Sequence, residues 1–139
     1  MTRPRWNSYF MNVAKAVSER ADCKRAKYGA VLVKDKRIVA CGYNGPPPGE
    51  ISCLGGGCPR GNLTKEELPP NFANYENCVA LHAEQNCIAY SNRDDCVGAT
   101  MYLWGGMPPC DMCRKLLRAA GVATVVYQDS DGRMKSKLV

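Results

Sequence analysis

The sequence predicts an α/β fold, a mixed sheet with helices packed on both faces. Three observations predict it: an amphipathic helical pattern opens the chain, two short β-rich runs around a polar turn follow, and helix then alternates with strand. In residues 6–20, Trp6, Phe10, Val13, Ala14 and Val17 fall near one helical face. Residues 30–33 and 38–41 are apolar and β-rich, and they flank Lys34–Asp35–Lys36–Arg37, so they read as a hairpin. Residues 42–49 collect Gly and Pro and read as loop. Residues 50–77 are irregular, and so long a loop in a compact domain is functional or tied down. Residues 81–91 and 109–120 read as helices, the second opening on Pro109 and stopping at Gly121. Residues 99–103 and 123–127 read as strands, and the polar tail 128–139 is long enough for a short edge strand. With no repeat, low-complexity tract or linker, the expectation is one domain over 1–139 with a cysteine-rich insertion at about 50–78.

Composition narrows the class. Apolar residues make up 45% and charged residues 23%, a globular balance. No run of some 18 apolar residues occurs, and the first six residues lead into no signal-type stretch. The expectation is a cytoplasmic protein without a membrane contact, in the host cytoplasm if phage-encoded. Nine cysteines, an odd number, point in a reducing compartment to metal ligands and buried thiols rather than disulfides. A net charge of +6 favours anionic partners such as a phosphorylated nucleotide, although a solvated basic surface accounts for it equally. No aromatic-and-basic stripe of the sort that stacks unpaired bases stands out, so no nucleic-acid partner is expected.

The chemistry concentrates in two segments. Leu81–His82–Ala83–Glu84–Gln85–Asn86 holds the only histidine, with a carboxylate two positions on. Pro109–Cys110–Asp111–Met112–Cys113 holds two cysteines at i and i+3. One imidazole and two thiolates are three tetrahedral Zn²⁺ ligands and leave a fourth position for water. With His82 in the first turn of one helix and Cys110 and Cys113 a turn apart on another, two positive helix ends face the metal. Glu84 is then the proton carrier rather than a ligand, and the pattern is that of zinc deaminases. A lone histidine is otherwise a cap or a surface residue, and a lone CxxC a redox pair or half a structural site. The combination with Glu84 favours catalysis.

The chain resembles the deoxycytidylate (dCMP) deaminases of the cytidine deaminase superfamily from about residue 6 to residue 127. The resemblance rests on Trp6-x-x-Tyr9–Phe10–Met11, Gly29–Ala30–Val31, Gly42–Tyr43–Asn44–Gly45 and the two zinc motifs. It implies a three-layer α/β/α sandwich around a five-stranded mixed sheet, one catalytic zinc, and a homo-oligomer, commonly a hexamer. It also implies hydrolysis of dCMP to dUMP, supplying thymidylate synthesis, with activation by dCTP and inhibition by dTTP in many relatives. By the same resemblance Asn44 hydrogen-bonds the nucleotide, and the Ala83 backbone and Glu84 read the pyrimidine edge. Tyr90 occupies an aromatic position near the substrate, and Arg93 a basic one near subunit contacts. Arg25 and Lys27 are candidate phosphate contacts, with a solvated positive pair as the equal alternative. Where the family usually has Ser-Pro-Cys, this chain has Pro108–Pro109–Cys110 beside the substrate pocket. The loop before it is a couple of residues longer, and the tail lacks the family's downstream tyrosine, which bears on regulation.

Of the other cysteines, Cys41 and Cys87 read as small core residues. Cys23, Cys53, Cys58 and Cys78 sit in loops or at element boundaries, where some relatives hold a second zinc; a closed structural Cys₄ site is the expectation. The competing readings are a deaminase of another cytosine nucleoside or nucleotide, a tRNA adenosine deaminase, and a non-catalytic zinc-stabilised binding module.

Overall fold

The computed structural model describes residues 2–67 and 78–139. The elements run α1 (Trp6–Ser18), β1 (Gly29–Lys34), β2 (Arg37–Tyr43), a 3-10 turn (Lys65–Glu67), α2 (Ala83–Ala89), α3 (Arg93–Cys96), β3 (Thr100–Gly106), α4 (Asp111–Ala120), β4 (Thr124–Asp129) and β5 (Met134–Leu138). The five strands form one sheet in the order β2-β1-β3-β4-β5. Only β3 and β4 are parallel, so the sheet is mixed as expected, and α4 is the crossover such a pair requires.

Strand periodicity divides the core in two. Val31, Tyr102 and Val126 lie in register across the sheet and turn to one face, where they meet Phe10, Met11 and Ala14 of α1. Ala30, Leu103 and Tyr127, with Leu32, Met101 and Val125, turn to the other, against Ala83 and Cys87 of α2 and Leu117 of α4. The three-layer expectation therefore holds. Two glycines set the layer spacing: a Cβ at Gly29 would overlap the Ala14 carbonyl oxygen, and one at Gly42 would lie 2.5 Å from the Cys87 amide nitrogen.

Several boundaries differ from the sequence reading. The hairpin turn is two residues, Asp35 (φ 52°) and Lys36 (φ 60°), because paired left-handed residues match strand twist. Gly42 and Tyr43 belong to β2 rather than to a loop, since the missing side chain lets α2 lie against the strand. Residues 104–106 extend β3, and α3 forms after Asn92, whose side chain accepts from the Asp95 amide at 2.8 Å. The polar tail does form an edge strand, β5, exposed throughout. Cys41 is exposed on edge strand β2, whereas Cys87 and Cys96 are buried as core thiols. Residues 68–77 of the irregular stretch lie outside the described residues.

Candidate active site

The site forms where two helices begin beneath the end of β3. Leu81 and Gly45 exchange backbone hydrogen bonds (3.1 and 2.8 Å), and Asn86 Nδ2 donates to the Tyr43 carbonyl at 2.8 Å, so α2 is fastened to the end of β2. Within that frame His82 is the N-cap of α2, in extended conformation, rather than a first-turn residue. Its amide donates to Gln85 Oε1 at 2.7 Å. Cys110 is likewise the N-cap of α4, and its Sγ accepts from the Cys113 amide at 3.4 Å. Pro109 thus precedes the cap instead of opening the helix, because the cap needs a side chain that can accept.

These two caps bring the metal-capable atoms together. His82 Nδ1 lies 3.2 Å from Cys113 Sγ and 3.5 Å from Cys110 Sγ. Among the described residues, this trio is the one group of three or more potential ligands whose atoms all fall within 4.8 Å of one another. One imidazole nitrogen and two sulfurs suit zinc, and three protein ligands leave a coordination position open. Glu84 is 4% exposed, and burial pushes its carboxyl up, opposed by its own backbone amide and by His82. Cys113 is raised too, by burial and then by the Glu84 charge. A carboxyl that holds a proton readily beside three such ligands is the arrangement a metal-assisted hydrolysis needs.

A cavity of about 410 Å³ opens onto His82, Glu84 and Cys110, within the range of small-molecule sites. Ala83, Asn44 and Pro109 line it, as expected of substrate contacts. Asn44 is 7% exposed; its Oδ1 accepts from the Tyr28 amide (2.8 Å) and its Nδ2 donates to the Ala26 carbonyl (3.0 Å). One acceptor lone pair and one N–H remain for a ligand.

Other expected contacts fall elsewhere. Lys27 is exposed and is not among the residues that line the cavity. Arg25 does line it, but its Nη2 donates to the carbonyls of Arg60 (3.0 Å) and Leu63, which hold the guanidinium against a loop. Tyr90 is 68% exposed and borders a separate groove with Arg20, Tyr43 and Leu54, because it caps α2 at the end remote from His82. Arg93 Nη1 donates to the Ala119 carbonyl at 2.9 Å, joining α3 to the end of α4. Sequence reading missed Arg60, Lys24 and Tyr28 of the cavity lining. Only the neighbouring Cys58 drew attention to Arg60.

The remaining cysteine set borders the same cavity, but no three of its sulfurs all lie within 4.8 Å of one another. Cys23, Cys53, Cys58 and Cys78 all line the cavity, and the Cys58 thiol is hydrogen-bonded with those of Cys53 and Cys78. Burial, with Cys58 adding to it, pushes the Cys53 thiol up to about 12. Asp22 anchors this loop by accepting from Ser52 Oγ (2.7 Å) and the Leu54 amide (2.9 Å). On another side of the molecule, Trp6 and Tyr9 share a groove with Arg3, Arg5, Lys36 and Arg37. Arg3 and Arg5 adjoin the two aromatics in sequence, and the hairpin turn adds Lys36 and Arg37 from some thirty positions on. It has no lining residue in common with the metal-site cavity. No helix of the described residues is long and apolar enough to cross a membrane.

Known proteins share these features. Residues 4–129 match the model of the cytidine and deoxycytidylate deaminase zinc-binding region. Deoxycytidylate deaminase of Mycobacterium phage D29 is 42% identical over 131 residues, covering 91% of this chain and 97% of the relative. The deoxycytidylate deaminase of Saccharomyces cerevisiae is 36% identical over 94% of this chain, which spans only 39% of that longer protein. Among solved structures, dCMP deaminase from cyanophage S-TIM5, in complex with dCMP and dUMP, superposes with a TM-score of 0.67 at 29% identity, over 93% of this chain and 85% of that one. Sequence match, fold and the His82–Cys110–Cys113 grouping agree, and the chain belongs to the cytidine and deoxycytidylate deaminase family.

Proposed function

We propose that the protein hydrolyses dCMP to dUMP and ammonia, using a zinc ion held by His82, Cys110 and Cys113. The observation that carries this is the convergence of those three ligand atoms within 4.8 Å beside a buried carboxyl, on a cavity of nucleotide-compatible size. Two relatives named for deoxycytidylate deamination, and a solved relative bound to dCMP and dUMP, support the choice of substrate. Zinc bound at such a site lowers the pKa of a water to roughly 7 and so supplies a nucleophile at neutral pH. Glu84 would take a proton from the attacking water and deliver it to the pyrimidine ring nitrogen, then take the second proton from the new hydroxyl on the ring carbon and deliver it to the amino group, which leaves as ammonia. Its burial keeps bulk water from competing for that proton. Asn44 and the Ala83 backbone hold the sugar and the base edge.

The finer parts of the reading go with it. Cys23, Cys53, Cys58 and Cys78 hold a second, structural zinc that pins the insertion; the hydrogen-bonded thiols in one cavity wall support this. The enzyme is a single-domain cytoplasmic homo-oligomer, a hexamer as is common in the family; dCTP and dTTP are candidate regulators, against which the missing downstream tyrosine counts. Two zinc ions per chain by metal analysis, and a hexamer mass by light scattering, are the expected results.

The test is deamination of dCMP beside deoxycytidine, CMP and dCTP, followed by loss of the cytosine absorbance with zinc-loaded protein. Turnover of dCMP well above the others is expected. Preference for another of the four reassigns the substrate, and inactivity on all four overturns the reading. Glu84→Gln should keep its zinc and lose about 10²- to 10⁴-fold in turnover, the usual share of positioned proton transfer. A zinc-stabilised binding module would keep its binding instead.

A further inference from the structure

A second groove, of about 910 Å³, lies between the start of α1 and the β1–β2 hairpin turn. Four cations line it, Arg3, Arg5, Lys36 and Arg37, and no carboxylate does; Asp35, next to Lys36 in the turn, is not part of the lining. All four are exposed. Among the described residues, ion pairs join Arg114 to Asp111 and Lys135 to Asp129, so no groove cation is neutralised in one. A merely solvated basic face would have polar neighbours. Here the cations frame Trp6 (50% exposed), Tyr9 (44%) and Ile38 (42%), large apolar side chains half open to water. The rings are firmly seated. Trp6 stacks on buried Phe10 with centroids 5.6 Å apart and planes at 17°, and Tyr9 packs against both. Phe10 rests in turn on Tyr102 of β3. The Lys36 ammonium lies over the Trp6 ring, 5.3 Å from its centroid. Lys36 holds that place from a left-handed position (φ 60°) of the hairpin turn, where glycine is the favoured residue. An exposed cation–π contact is weaker than the stacking of a nucleic-acid base, so a base can displace this flexible ammonium onto a phosphate.

We propose that this groove docks single-stranded nucleic acid, with bases stacked on Trp6 and Tyr9 and phosphates paired with Arg3, Arg5, Lys36 and Arg37. Cations alone would accept any polyanion. The exposed rings favour a chain whose every unit brings a π-face as well as a charge. An acidic peptide brings no such face, and a duplex keeps its own inside the stack. A second copy of this chain would set four positive charges against four. Size favours more than one nucleotide, since the metal-site cavity, of about 410 Å³, has less than half this volume. The two cavities share no lining residue, so the docked strand is not the substrate and the hydrolytic site is left as it is. The expectation of no nucleic-acid partner gives way at this groove, and the inference stands independently of the deaminase reading.

The experiment follows the fluorescence anisotropy of labelled oligothymidylate, titrated with the zinc-loaded full chain across roughly 50–200 mM salt. Thymine has no exocyclic amine, so binding is not confused with turnover. If all four cations meet phosphates, log K should fall against log salt with a slope of about −2.8, at roughly −0.7 per phosphate on a single strand. The double variant Arg3→Gln, Arg5→Gln should halve that slope to about −1.4. Trp6→Ala and Tyr9→Ala should each weaken binding about tenfold and keep the slope, as lost stacking does. Polyglutamate of similar length, and the same oligonucleotide annealed into a duplex, should bind more weakly than the single strand. Turnover of dCMP should be unchanged in all these variants. No binding at the lowest salt, equal binding of polyglutamate or duplex, or full binding in both ring variants overturns the proposal. Should Trp6→Ala not fold, the double variant Lys36→Glu, Arg37→Glu on the exposed hairpin decides: it keeps both rings and should abolish binding, and retained binding refutes the groove. A wild type that binds the strand without deaminating dCMP fails the deaminase reading alone.

Discussion

Gly42→Ala tests whether the close contact between β2 and α2 places the chemistry. A Cβ at Gly42 would meet the Cys87 amide nitrogen at 2.5 Å, the Ala83 carbonyl oxygen at 2.8 Å and the Asn86 carbonyl carbon at 3.0 Å. All three are backbone atoms of α2, so no side chain can swing aside. Ordinary Cβ contacts begin at 3.4 Å, so α2 must withdraw by about 0.9 Å. His82 and Glu84 ride on the start of that helix. A displacement of that size at reacting groups costs on the order of 10²-fold in rate, and the overpacking itself costs roughly 1–3 kcal/mol of stability. Gly29→Ala supplies the control, because its Cβ would overlap Ala14 and press on α1, which bears no zinc ligand. Both variants should lower the denaturation midpoint. Only Gly42→Ala should lose turnover per folded, zinc-loaded molecule, and by tenfold to a hundredfold. Full activity in Gly42→Ala, or an equal loss in Gly29→Ala, would refute the claim that this contact sets the site.

Two further outcomes are expected. Cys113→Ala should lose both zinc and turnover, whereas Cys96→Ala, which removes an equally buried thiol from the core, should keep both; metal analysis beside the absorbance assay reads the difference. At the β4–β5 turn, backbone hydrogen bonds from Arg133 and Asp131 and the side chain of Lys135 hold the Asp129 carboxyl below its usual value of 3.8. A depressed folded pKa stabilises above the unfolded value and is lost as pH falls through the folded one. The stability gap between wild type and Asp129→Asn in urea should therefore be full at pH 7 and close as the pH drops below 3.8. A gap that persists at lower pH would show that the charge is not its source.

Most of the architecture was legible because its signals are local and periodic. Short apolar, β-rich runs at residues 30–33, 99–103 and 123–127 marked three strands, and the two zinc segments stood out by residue type and spacing. Misreadings arose where a distant contact decides the local state. Gly42 looks like a loop residue until α2 is laid on it. His82 and Cys110 are caps rather than helical residues, because the side-chain-to-backbone bond at a helix start depends on where the chain turns. Arg60 was hidden for a similar reason: nothing in Cys58–Pro59–Arg60–Gly61 says that the arginine is buried, since the bonds that bury its turn come from Lys24 and Arg25. Tyr90 and Lys27, suitable in residue type, are exposed and lie outside the cavity lining.

The placement of the groups separates chemistry from selectivity. Of the residues proposed to hold zinc, His82 and Cys110 are helix caps and Cys113 lies in the first turn of α4, while α2 is fastened to the end of β2 through Leu81 and Asn86. Asn44 and Ala83, proposed to hold the substrate, adjoin that frame, whereas the irregular loop that borders the same cavity is tied through Asp22, Lys24 and Arg25 to the segment before β1. Loops accept substitution and insertion more readily than the elements they join. Changes in residues 52–63 should therefore shift which phosphorylated form enters the cavity while leaving the hydrolysis itself intact, and changes at Gly42 or the two caps should do the reverse. Preference without rate, and rate without preference, can then be altered separately in one small domain.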